Sequence, residues 1–261
     1  MTLVENITPA QRVQRLIESA RSVGLLEGGR EYKHLCRTLF APLDFRGKNV
    51  LEIGCGKGLM CLWAGIQGAN RVVGLEPMAD GCYDSPQCFK DFAKMARDSG
   101  LENAEMLPLK LEDYRPSMRF DIVLSLASIN HLDEQSCIEL QRTQAARDRY
   151  IKIFKQVRGL MNDGGTLFVA DATNRSFYSD LKLRNPFNPH IEWIKHQPPQ
   201  CWAQVLSECG FGAPKISWLS QPLLKFIGIG TVPRAISYFG SSAFRLQMQR
   251  LDPQSTPPVA A

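Results

Sequence analysis

The chain has 261 residues, of which 44% are hydrophobic and 22% are charged, and its formal net charge is +5 at pH 7. This composition is typical of a packed globular protein and excludes a disordered or fibrous chain, and the length suits one large α/β domain. Lysine and arginine are scattered instead of forming a dense basic run, so nucleic acid is not an expected partner. No run approaches the ~18 apolar residues of a membrane span, and the N-terminal segment lacks the apolar centre of a signal peptide. We therefore expect a cytoplasmic protein without a membrane span.

The eight cysteines are spread along the chain without a CxxC pair. Because nothing in the sequence indicates secretion, we expect reduced thiols instead of disulfides. Several cysteines lie inside apolar runs, where cysteine acts as a small hydrophobic residue. No metal site is predicted from this set, which consists of Cys36, Cys55, Cys61, Cys82, Cys88, Cys137, Cys201 and Cys209.

Residues 1–47 predict two helices that form an N-terminal helical lid. Thr8 has the character of an N-cap, a proline follows it, and Gln11 completes a capping box, so the first helix should cover Pro9–Ser22. Its apolar residues recur at helical spacing, which indicates that one face packs on an apolar surface. Glycines then interrupt the pattern, and a second short helix is expected over Glu31–Phe40.

From Lys48 onward, apolar β-branched runs alternate with helical patterns, which is typical of βαβ units around a parallel sheet. The predicted strands are Asn49–Ile53, Arg71–Leu75, Ala104–Leu107, Phe120–Leu126 and Thr166–Ala170. The predicted helices between them are Leu59–Gln67, Gln87–Ser99 and Ser136–Met161. The last helix is long for a globular protein, and we expect it to start with an irregular turn.

After Asp171 the alternation stops over residues 172–199, a length that favours a lid or binding segment over a plain connection. A second insertion is expected at 219–240, and both belong to one predicted domain over 48–251. The Pro-rich tail, 252–261, is predicted to be disordered. The remaining regular elements are expected at Gln200–Cys209, Lys215–Trp218 and Phe244–Gln249.

The segment from Val50 to Gly58 has the pattern of a strand, a loop with glycines at alternate positions, and the start of a helix. Gly54, Gly56 and Gly58 permit positive φ and let backbone amides approach a ligand, and the following helix offers unpaired N–H groups. A dinucleotide fingerprint would have its third glycine at Leu59, whereas this chain has it one residue earlier. These residues predict a nucleotide-like ligand.

Two acids accompany the loop. Glu52 precedes the glycines, and Glu76 follows the second predicted strand. An acid at the tip of that strand is placed to accept hydrogen bonds from ribose hydroxyls. The alternatives are that Glu52 caps the adjacent helix and that Glu76 is a solvated acid before Pro77.

The glycine spacing and the preceding acid resemble motif I of the class I S-adenosylmethionine-dependent methyltransferases. The resemblance continues in order over 48–171, with Phe120–Ser125 similar to the start of motif IV and 160–167 similar to the helix-turn-strand segment before strand five. It implies a Rossmann-like α/β fold with a mostly parallel seven-stranded sheet flanked by helices, together with N-terminal helices and lid insertions. It also implies S-adenosylmethionine as cofactor and S-adenosylhomocysteine as product.

The resemblance implies specific cofactor contacts. Glu52 would pair with the ammonium of S-adenosylmethionine, and Glu76 would hold the ribose. Leu111, through its backbone, and Glu112 would border the adenine, with Asp113 as the alternative. The predicted cofactor-binding residues are Glu52, Gly54, Cys55, Gly56, Gly58, Glu76, Pro77, Leu111, Glu112 and Ser125.

Residues for the methyl acceptor are predicted from their chemistry and position. His131 is a candidate catalytic base or substrate contact, because an imidazole with a pKa near 6.5 suits proton removal near neutrality; the alternative is a structural histidine. Asp171 is a second catalytic candidate, or else caps the next turn. The predicted substrate-binding residues are Asn130, His131, His190, Trp193 and His196. His190, Glu192 and His196 match no zinc spacing, so no metal is predicted.

The sequence thus predicts a methyltransferase that acts on a small molecule at oxygen, nitrogen or carbon. No Asn-Pro-Pro-Tyr motif follows the fourth strand, which lowers the expectation of adenine, cytosine or glutamine methylation. Methyl transfer to a macromolecule such as RNA, protein or a glycan is the first alternative. A Rossmann-like NAD-binding oxidoreductase or a non-catalytic binding protein is the second.

Overall fold

A computed structural model describes residues 7–77, 86–186, 188–220 and 230–252. The chain forms two compact units, Met1–Tyr114 and Arg115–Ala261. Parallel strands flanked by helices occur in both units. This confirms the predicted mixed α/β fold with a mostly parallel central sheet.

The first unit contains three strands and four helices within its described residues. β1 pairs in parallel with β2, and β2 with β3, so that Gly74 lies opposite Glu52 on one side and Met106 on the other. The four-residue to five-residue strands have the predicted bounds. The elements are α1 (Pro9–Ser22), α2 (Gly29–Leu39), β1 (Asn49–Ile53), α3 (Leu59–Ile66), β2 (Arg71–Leu75), α4 (Pro86–Asp98) and β3 (Ala104–Leu107), followed by a 3₁₀ turn at Leu111–Asp113.

The first N-terminal helix begins with the capping box that the sequence predicts. The Gln11 N–H donates to Oγ1 of Thr8 at 3.3 Å and the Thr8 N–H donates to Oε1 of Gln11 at 2.8 Å, which is the predicted capping box. α1 packs against α3 and α4. α2 starts at Gly29, two residues before the predicted Glu31. At Gly29 a Cβ would lie 2.6 Å from Cγ2 of Ile17, so this close contact between α1 and α2 leaves no room for a side chain.

The second unit contains five strands within its described residues. β4 is parallel to β5, β8 lies antiparallel between β5 and β6, and β7 pairs antiparallel with β6. The elements are β4 (Phe120–Leu126), a 3₁₀ turn at Ile129–Leu132, α5 (Glu134–Glu139), α6 (Gln144–Gly159), β5 (Met161–Ala172), α7 (Phe177–Asp180), a 3₁₀ turn at Trp193–Lys195, α8 (Pro199–Glu208), β6 (Lys215–Leu219), β7 (Thr231–Val232), α9 (Arg234–Tyr238) and β8 (Ala243–Gln249).

Two elements of the second unit differ from the prediction. The helix expected over Ser136–Met161 is divided into α5 and α6, because Thr143 caps a new helix by accepting the Ala146 N–H at 3.2 Å. The strand expected over Thr166–Ala170 is longer in β5, with a shift in its pairing to β4. The structure also has eight described strands instead of seven. The additional strand, β7, has only two residues.

An aromatic cluster fills the core between α6 and α8. The rings of Tyr150 and Trp202 lie 5.0 Å apart, and Phe154 lies 5.6 Å from Tyr150. All three side chains are fully or almost fully buried. The cluster therefore holds the ring of Tyr150 in place, and the Tyr150 hydroxyl bonds to the turn after β4.

Several predictions fall outside the described residues. They include the tail over 253–261, the middle of the second insertion at 221–229, and Cys82. The domain boundaries at 47 and 251 stay predictions. Among the residues that the structure describes, no helix is both long enough and apolar enough to cross a membrane.

Candidate functional site

The loop between β1 and α3, Gly54–Gly58, is here called the glycine loop. Its three glycines have φ values of +69°, +55° and +72°, in the left-handed region that glycine adopts most readily. The N–H groups of Gly54 and Cys55 both donate to the carbonyl of Leu75, at 2.9 and 3.0 Å. These two bonds hold the loop at the carboxyl end of β2, directly before Glu76.

Gly58 is required for its conformation and for space. It is the N-cap of α3 with φ +72°, and a Cβ at this position would lie 2.3 Å from Cδ2 of Phe92. Phe92 is itself buried in α4. Because its N-cap residue is a glycine, α3 has no side-chain cap. The first amide groups of such a helix can bind an anionic group.

Glu76 is the acid that bonds directly to the glycine loop. It is 8% exposed, and one of its oxygens accepts the Gly56 N–H at 2.7 Å. Burial raises the pKa of Glu76, and the bond from Gly56 opposes that rise. The carboxylate is therefore held in one orientation beside the loop.

Glu52 has a different environment from the one expected of a ligand-facing acid. It is 2% exposed, and the thiol of Cys61 donates to its Oε2 at 2.9 Å. Burial raises the pKa of Glu52 to about 8, and the charge of Glu76 adds to this effect. Glu52 is therefore mostly protonated at neutral pH in the described chain. Its predicted contact with an ammonium group would require it to lose that proton.

Thiols pack beneath the glycine loop, a feature that the sequence analysis did not anticipate. A Cβ at Gly74 would lie 2.6 Å from Sγ of Cys55 and 2.9 Å from Sγ of Cys61. The thiol of Cys88 donates to the carbonyl of Gly56 at 3.6 Å. Burial raises the pKa of Cys61, so this thiol is a neutral donor. The side chain of Cys55 lies against β2, and its backbone is the part that belongs to the loop.

The remaining predicted cofactor residues of the first unit lie after β2 and β3. Leu111 is buried and opens the 3₁₀ turn, whereas Glu112 is exposed on it. The Asp113 N–H donates to the carbonyl of Lys110 at 3.1 Å. Pro77 is half-buried and is the last described residue before the gap at 78–85.

In the second unit, Ser125 lies near the end of β4, and its hydroxyl forms a buried pair with that of Ser128. Its Oγ lies 2.8 Å from Oγ of Ser128. Between them, Ala127 has φ +51°, a conformation that costs a non-glycine residue about 1–3 kcal/mol. The Ala127 N–H donates to the carbonyl of Ala170 at 2.7 Å. This bond fastens the start of the turn to the end of β5.

Asn130 lies in the 3₁₀ turn after β4 and is 1% exposed. Among the described residues its Oδ1 has no hydrogen-bond partner. Tyr150 supports the backbone of this turn, because its hydroxyl donates to the carbonyl of Ile129 at 3.0 Å. Asn130 therefore presents a buried acceptor atom on a fixed backbone.

His131, the next residue, belongs to a surface network. Its Nδ1 lies 2.6 Å from Oε1 of Glu134, and its side chain is 54% exposed. Lys195 lies 3.0 Å from the other oxygen of Glu134. The pKa of Glu134 is lowered, first by its hydrogen bond from Lys195 and then by that from His131.

Asp171 and His196 form a second, buried pair. Oδ1 of Asp171 lies 3.2 Å from Nδ1 of His196, and the exposed fractions of the two side chains are 1% and 13%. The same Oδ1 accepts the Ala172 N–H at 2.7 Å, so Asp171 caps the next residue as well. Within the described part of the chain, Oδ2 of Asp171 and Nδ1 of His196 have no partner with hydrogen-bond geometry.

The other acceptor candidates are more exposed. His190 is on the surface, and Trp193 is half-buried, where it lines an open cavity of about 410 Å³ together with Leu183 and Ile191. A search of the described residues finds no group of three or more histidine, cysteine or acidic side chains that could hold a metal ion.

The described geometry defines a class of protein. A strand, a left-handed glycine loop and a helix, with a buried acid at the tip of the neighbouring parallel strand, are typical of Rossmann-like nucleotide-binding domains. A family model described as a methyltransferase domain matches residues 27–213. The chain belongs to this family, and thereby to the class I S-adenosylmethionine-dependent methyltransferases.

Curated relatives and a solved structure agree with this membership. The tRNA U34 carboxymethyltransferase of Alteromonas mediterranea is 33% identical over 87 residues, covering 33% of this chain and 25% of that protein. The ribosomal protein L11 methyltransferase of Colwellia psychrerythraea is 24% identical over 161 residues, covering 62% of this chain and 48% of that protein. These matches thus span a quarter to a half of the relatives' length.

The similarity of fold extends further than the similarity of sequence. The structure of an S-adenosylmethionine-dependent methyltransferase from Mesorhizobium loti superposes with a TM-score of 0.54 at 14% identity, covering 82% of this chain and 98% of that one. It confirms the predicted fold, and the family match confirms the predicted enzyme class and the cofactor, S-adenosylmethionine. The predicted roles of single residues and the acceptor stay predictions.

Proposed function

We propose that this protein transfers the methyl group of S-adenosylmethionine to an oxygen, nitrogen or carbon atom of a small molecule. The proposal of a small methyl acceptor is supported by the burial of polar side chains after β4 and at the end of β5. Asn130 and Asp171 are 1% and 6% exposed. An acceptor small enough to enter the fold can reach such groups, whereas a flat macromolecular surface cannot.

The first unit supplies residues that suit the cofactor. Glu76 would accept the ribose hydroxyls, Leu111 and Glu112 would border the adenine, and amides of the glycine loop would bind the carboxylate of the methionine end. Support comes from the bond between Glu76 and Gly56, which fixes the acid on the loop. When bound, the cofactor supplies an electrophilic methyl group on a sulfonium, and the chain supplies alignment and exclusion of water.

Glu52 and Ser125 have supporting roles in this proposal. Glu52 lies under the loop beside Cys61, and an approaching ammonium would favour its ionised form. Ser125, paired with Ser128, is the remaining residue of the predicted cofactor set. Cofactor binding would then release a proton from Glu52 near neutral pH.

The experiment has two parts. Calorimetry of the purified chain with S-adenosylmethionine, S-adenosylhomocysteine and NAD tests the cofactor, and the first two should bind while NAD should not. Incubation with methyl-labelled S-adenosylmethionine and a bacterial cell extract, followed by separation by size, tests the acceptor. We expect label in the low-molecular-mass fraction. Tight binding of NAD alone would contradict the proposal.

A macromolecular acceptor is the second candidate, because the curated relatives are named for tRNA and for a ribosomal protein. In that case the label would appear in the high-molecular-mass fraction. Treatment of that fraction with ribonuclease or with protease would then identify RNA or protein. Label that resists both and stays large would indicate a glycan.

A further inference from the structure

The second unit contains two histidine–carboxylate pairs with opposite exposure. His131 and Glu134 are both on the surface. His196 and Asp171 are 13% and 1% exposed at their side chains, with Nδ1 and Oδ1 3.2 Å apart. Only the second pair is shielded from water, and in such a setting a carboxylate strongly influences which ring nitrogen carries the proton.

His196 is held by contacts on both sides of it in the chain. The thiol of Cys137 in α5 donates to the carbonyl of Lys195 at 3.2 Å, and burial raises the pKa of Cys137 to about 12, so the donor proton is retained. Gln197, 3% exposed, donates through Nε2 to the carbonyl of Cys137 at 2.6 Å. One residue of α5 thus anchors the residues that precede and follow the histidine.

Two buried oxygen atoms near the ends of β4 and β5 lack donors. Within the described residues, Oδ1 of Asn130 and Oδ2 of Asp171 have no hydrogen-bond partner. An unsatisfied buried acceptor costs about 1–3 kcal/mol. The bond from Ala127 to Ala170 joins the turn that bears Asn130 to the end of β5, so both oxygens belong to the same end of the two strands. A ligand with N–H or O–H groups would satisfy them.

We infer that Asp171 and His196 form the proton-accepting pair for the methyl acceptor, and that the acceptor is therefore a protic nucleophile, a hydroxyl or an amine. This inference rests on the proposed methyl transfer. Nδ1 of His196 has no partner with hydrogen-bond geometry among the described residues, so the nearby negative charge of the buried Asp171 carboxylate would favour the proton on Nδ1 and leave Nε2 as the base. The bond from sulfur to methyl breaks with its electrons remaining on sulfur, the acceptor oxygen or nitrogen bonds to carbon, and its proton passes to Nε2.

The pair belongs to a wider set of charged and polar side chains. The charges that act on Cys137 of α5 are those of Asp171, Cys201 and Glu134, and Lys195 in the adjacent 3₁₀ turn pairs with Glu134. On β8, Phe244 is the residue opposite Asp171.

The first test needs no acceptor. Nitrogen-15 spectra of the imidazoles in the full chain should show His196 with its proton on Nδ1, and Asp171→Asn should change that tautomer. His196→Gln assigns the signal, and His34→Gln in α2 is the matched control. A proton on Nε2, or a His196 signal that is indifferent to Asp171→Asn, would overturn the inference.

The second test measures turnover with the product labelled from the cell extract. His196→Gln should lower kcat about 100-fold or more, as expected for loss of a general base. The KM for the acceptor and the affinity for S-adenosylmethionine should change less than about threefold, because a general base acts in the transition state and not in binding. Turnover within threefold of wild type would refute the pair.

The two proposals fail in different ways. If the wild-type chain binds neither S-adenosylmethionine nor S-adenosylhomocysteine, the proposed function is wrong. If it binds them and the tautomer of His196 is not the expected one, only the assignment of the pair is wrong. A melting curve for each variant separates both results from unfolding, and His196→Gln serves if Asp171→Asn does not fold.

Discussion

The glycine loop and the segment after β5, residues 172–199, are built on different principles. The loop is a continuous run of residues whose backbone angles and N–H groups create the site, as in the bonds from Gly54 and Cys55 to Leu75. The later segment has little regular structure, and side chains hold it: Cys137 and Gln197 bond across some sixty residues of sequence. One region depends on glycine and the other on distant polar contacts.

This difference indicates which substitutions each region tolerates. At Gly58 of the glycine loop a side chain larger than hydrogen disturbs both φ and packing, so its substitution should affect folding and cofactor binding together. In the later segment a change should loosen one anchor and alter catalysis more than folding. The following variants test that separation, starting with the largest expected effect.

Gly58→Ala should destabilise the fold by about 2–5 kcal/mol. The left-handed conformation costs roughly 1–2 kcal/mol for alanine, and overpacking against Phe92 adds about 1–3 kcal/mol. Gly24→Ala is the matched control, because Gly24 also has φ +72° but has no atom within 4 Å of the added Cβ. Urea denaturation of both variants gives the difference, and equal losses would show that the contact with Phe92 is unimportant.

Glu76→Ala should weaken binding of S-adenosylmethionine about 100-fold. The reason is the loss of charge-assisted hydrogen bonds of about 1.5–3 kcal/mol each, to the ribose and to the Gly56 N–H. Calorimetry measures the affinity, and Glu102→Ala, an exposed acid of the same unit, is the control. Unchanged affinity in Glu76→Ala would show that the ribose lies elsewhere.

Gln197→Ala should cost about 1–3 kcal/mol, because the Cys137 carbonyl loses a buried donor. Turnover should fall with the affinity for S-adenosylmethionine unchanged, since the cofactor residues of the first unit are not altered. Hydrogen exchange should increase over residues 191–197 and not at the glycine loop. Faster exchange at both places would contradict the independence of the two regions.

Glu52→Gln should remove a pH dependence of stability. The pKa of Glu52 is raised by burial to about 8 in the fold, above its unfolded value of about 4.3. Its contribution is therefore fully present below pH ~4 and is lost as the pH rises toward 8. Relative to wild type, Glu52→Gln should gain about 2 kcal/mol between pH 5 and pH 6.5, measured by denaturation at each pH. Parallel pH curves would contradict the buried, protonated state.

His131→Ala should have the smallest effect of the five. Its pair with Glu134 is exposed, and such pairs contribute about 0–1 kcal/mol. We expect turnover to be reduced less than fivefold, with cofactor affinity retained. A loss as large as that predicted for His196→Gln would transfer the proton-accepting role from the buried pair to His131.

Local sequence patterns predicted much of the fold, including the glycine loop and the acid at the tip of the neighbouring strand. β1, β2, β3 and β4 have the expected bounds because short apolar runs and the breaks between strand and helix are local signals. Glu76 could be placed because a strand tip lies at a fixed distance from the glycine loop. The break between α5 and α6 was missed because the capping residue, Thr143, lies inside an otherwise continuous helical pattern.

The rest of the site depends on contacts that no local pattern encodes. Glu52 is bound to Cys61, whose role as a partner depends on how α3 packs against the sheet. Asp171 and His196 lie 25 residues apart and meet because Cys137, on a third element, anchors the chain beside the histidine. Their residue types were noted as candidates, but their pairing could come only from the structure.

Tyr150 has a consequence for how this enzyme could change its acceptor. Its single hydroxyl donates to the carbonyl of Ile129 and lies within 3.4 Å of those of Asn130 and Asp133, and these contacts involve the backbone of the turn only. Side chains in the turn can therefore vary while the same phenol keeps their Cα positions. In directed evolution, the side chains of this turn could therefore be randomised while Tyr150, which supports the turn, is kept unchanged.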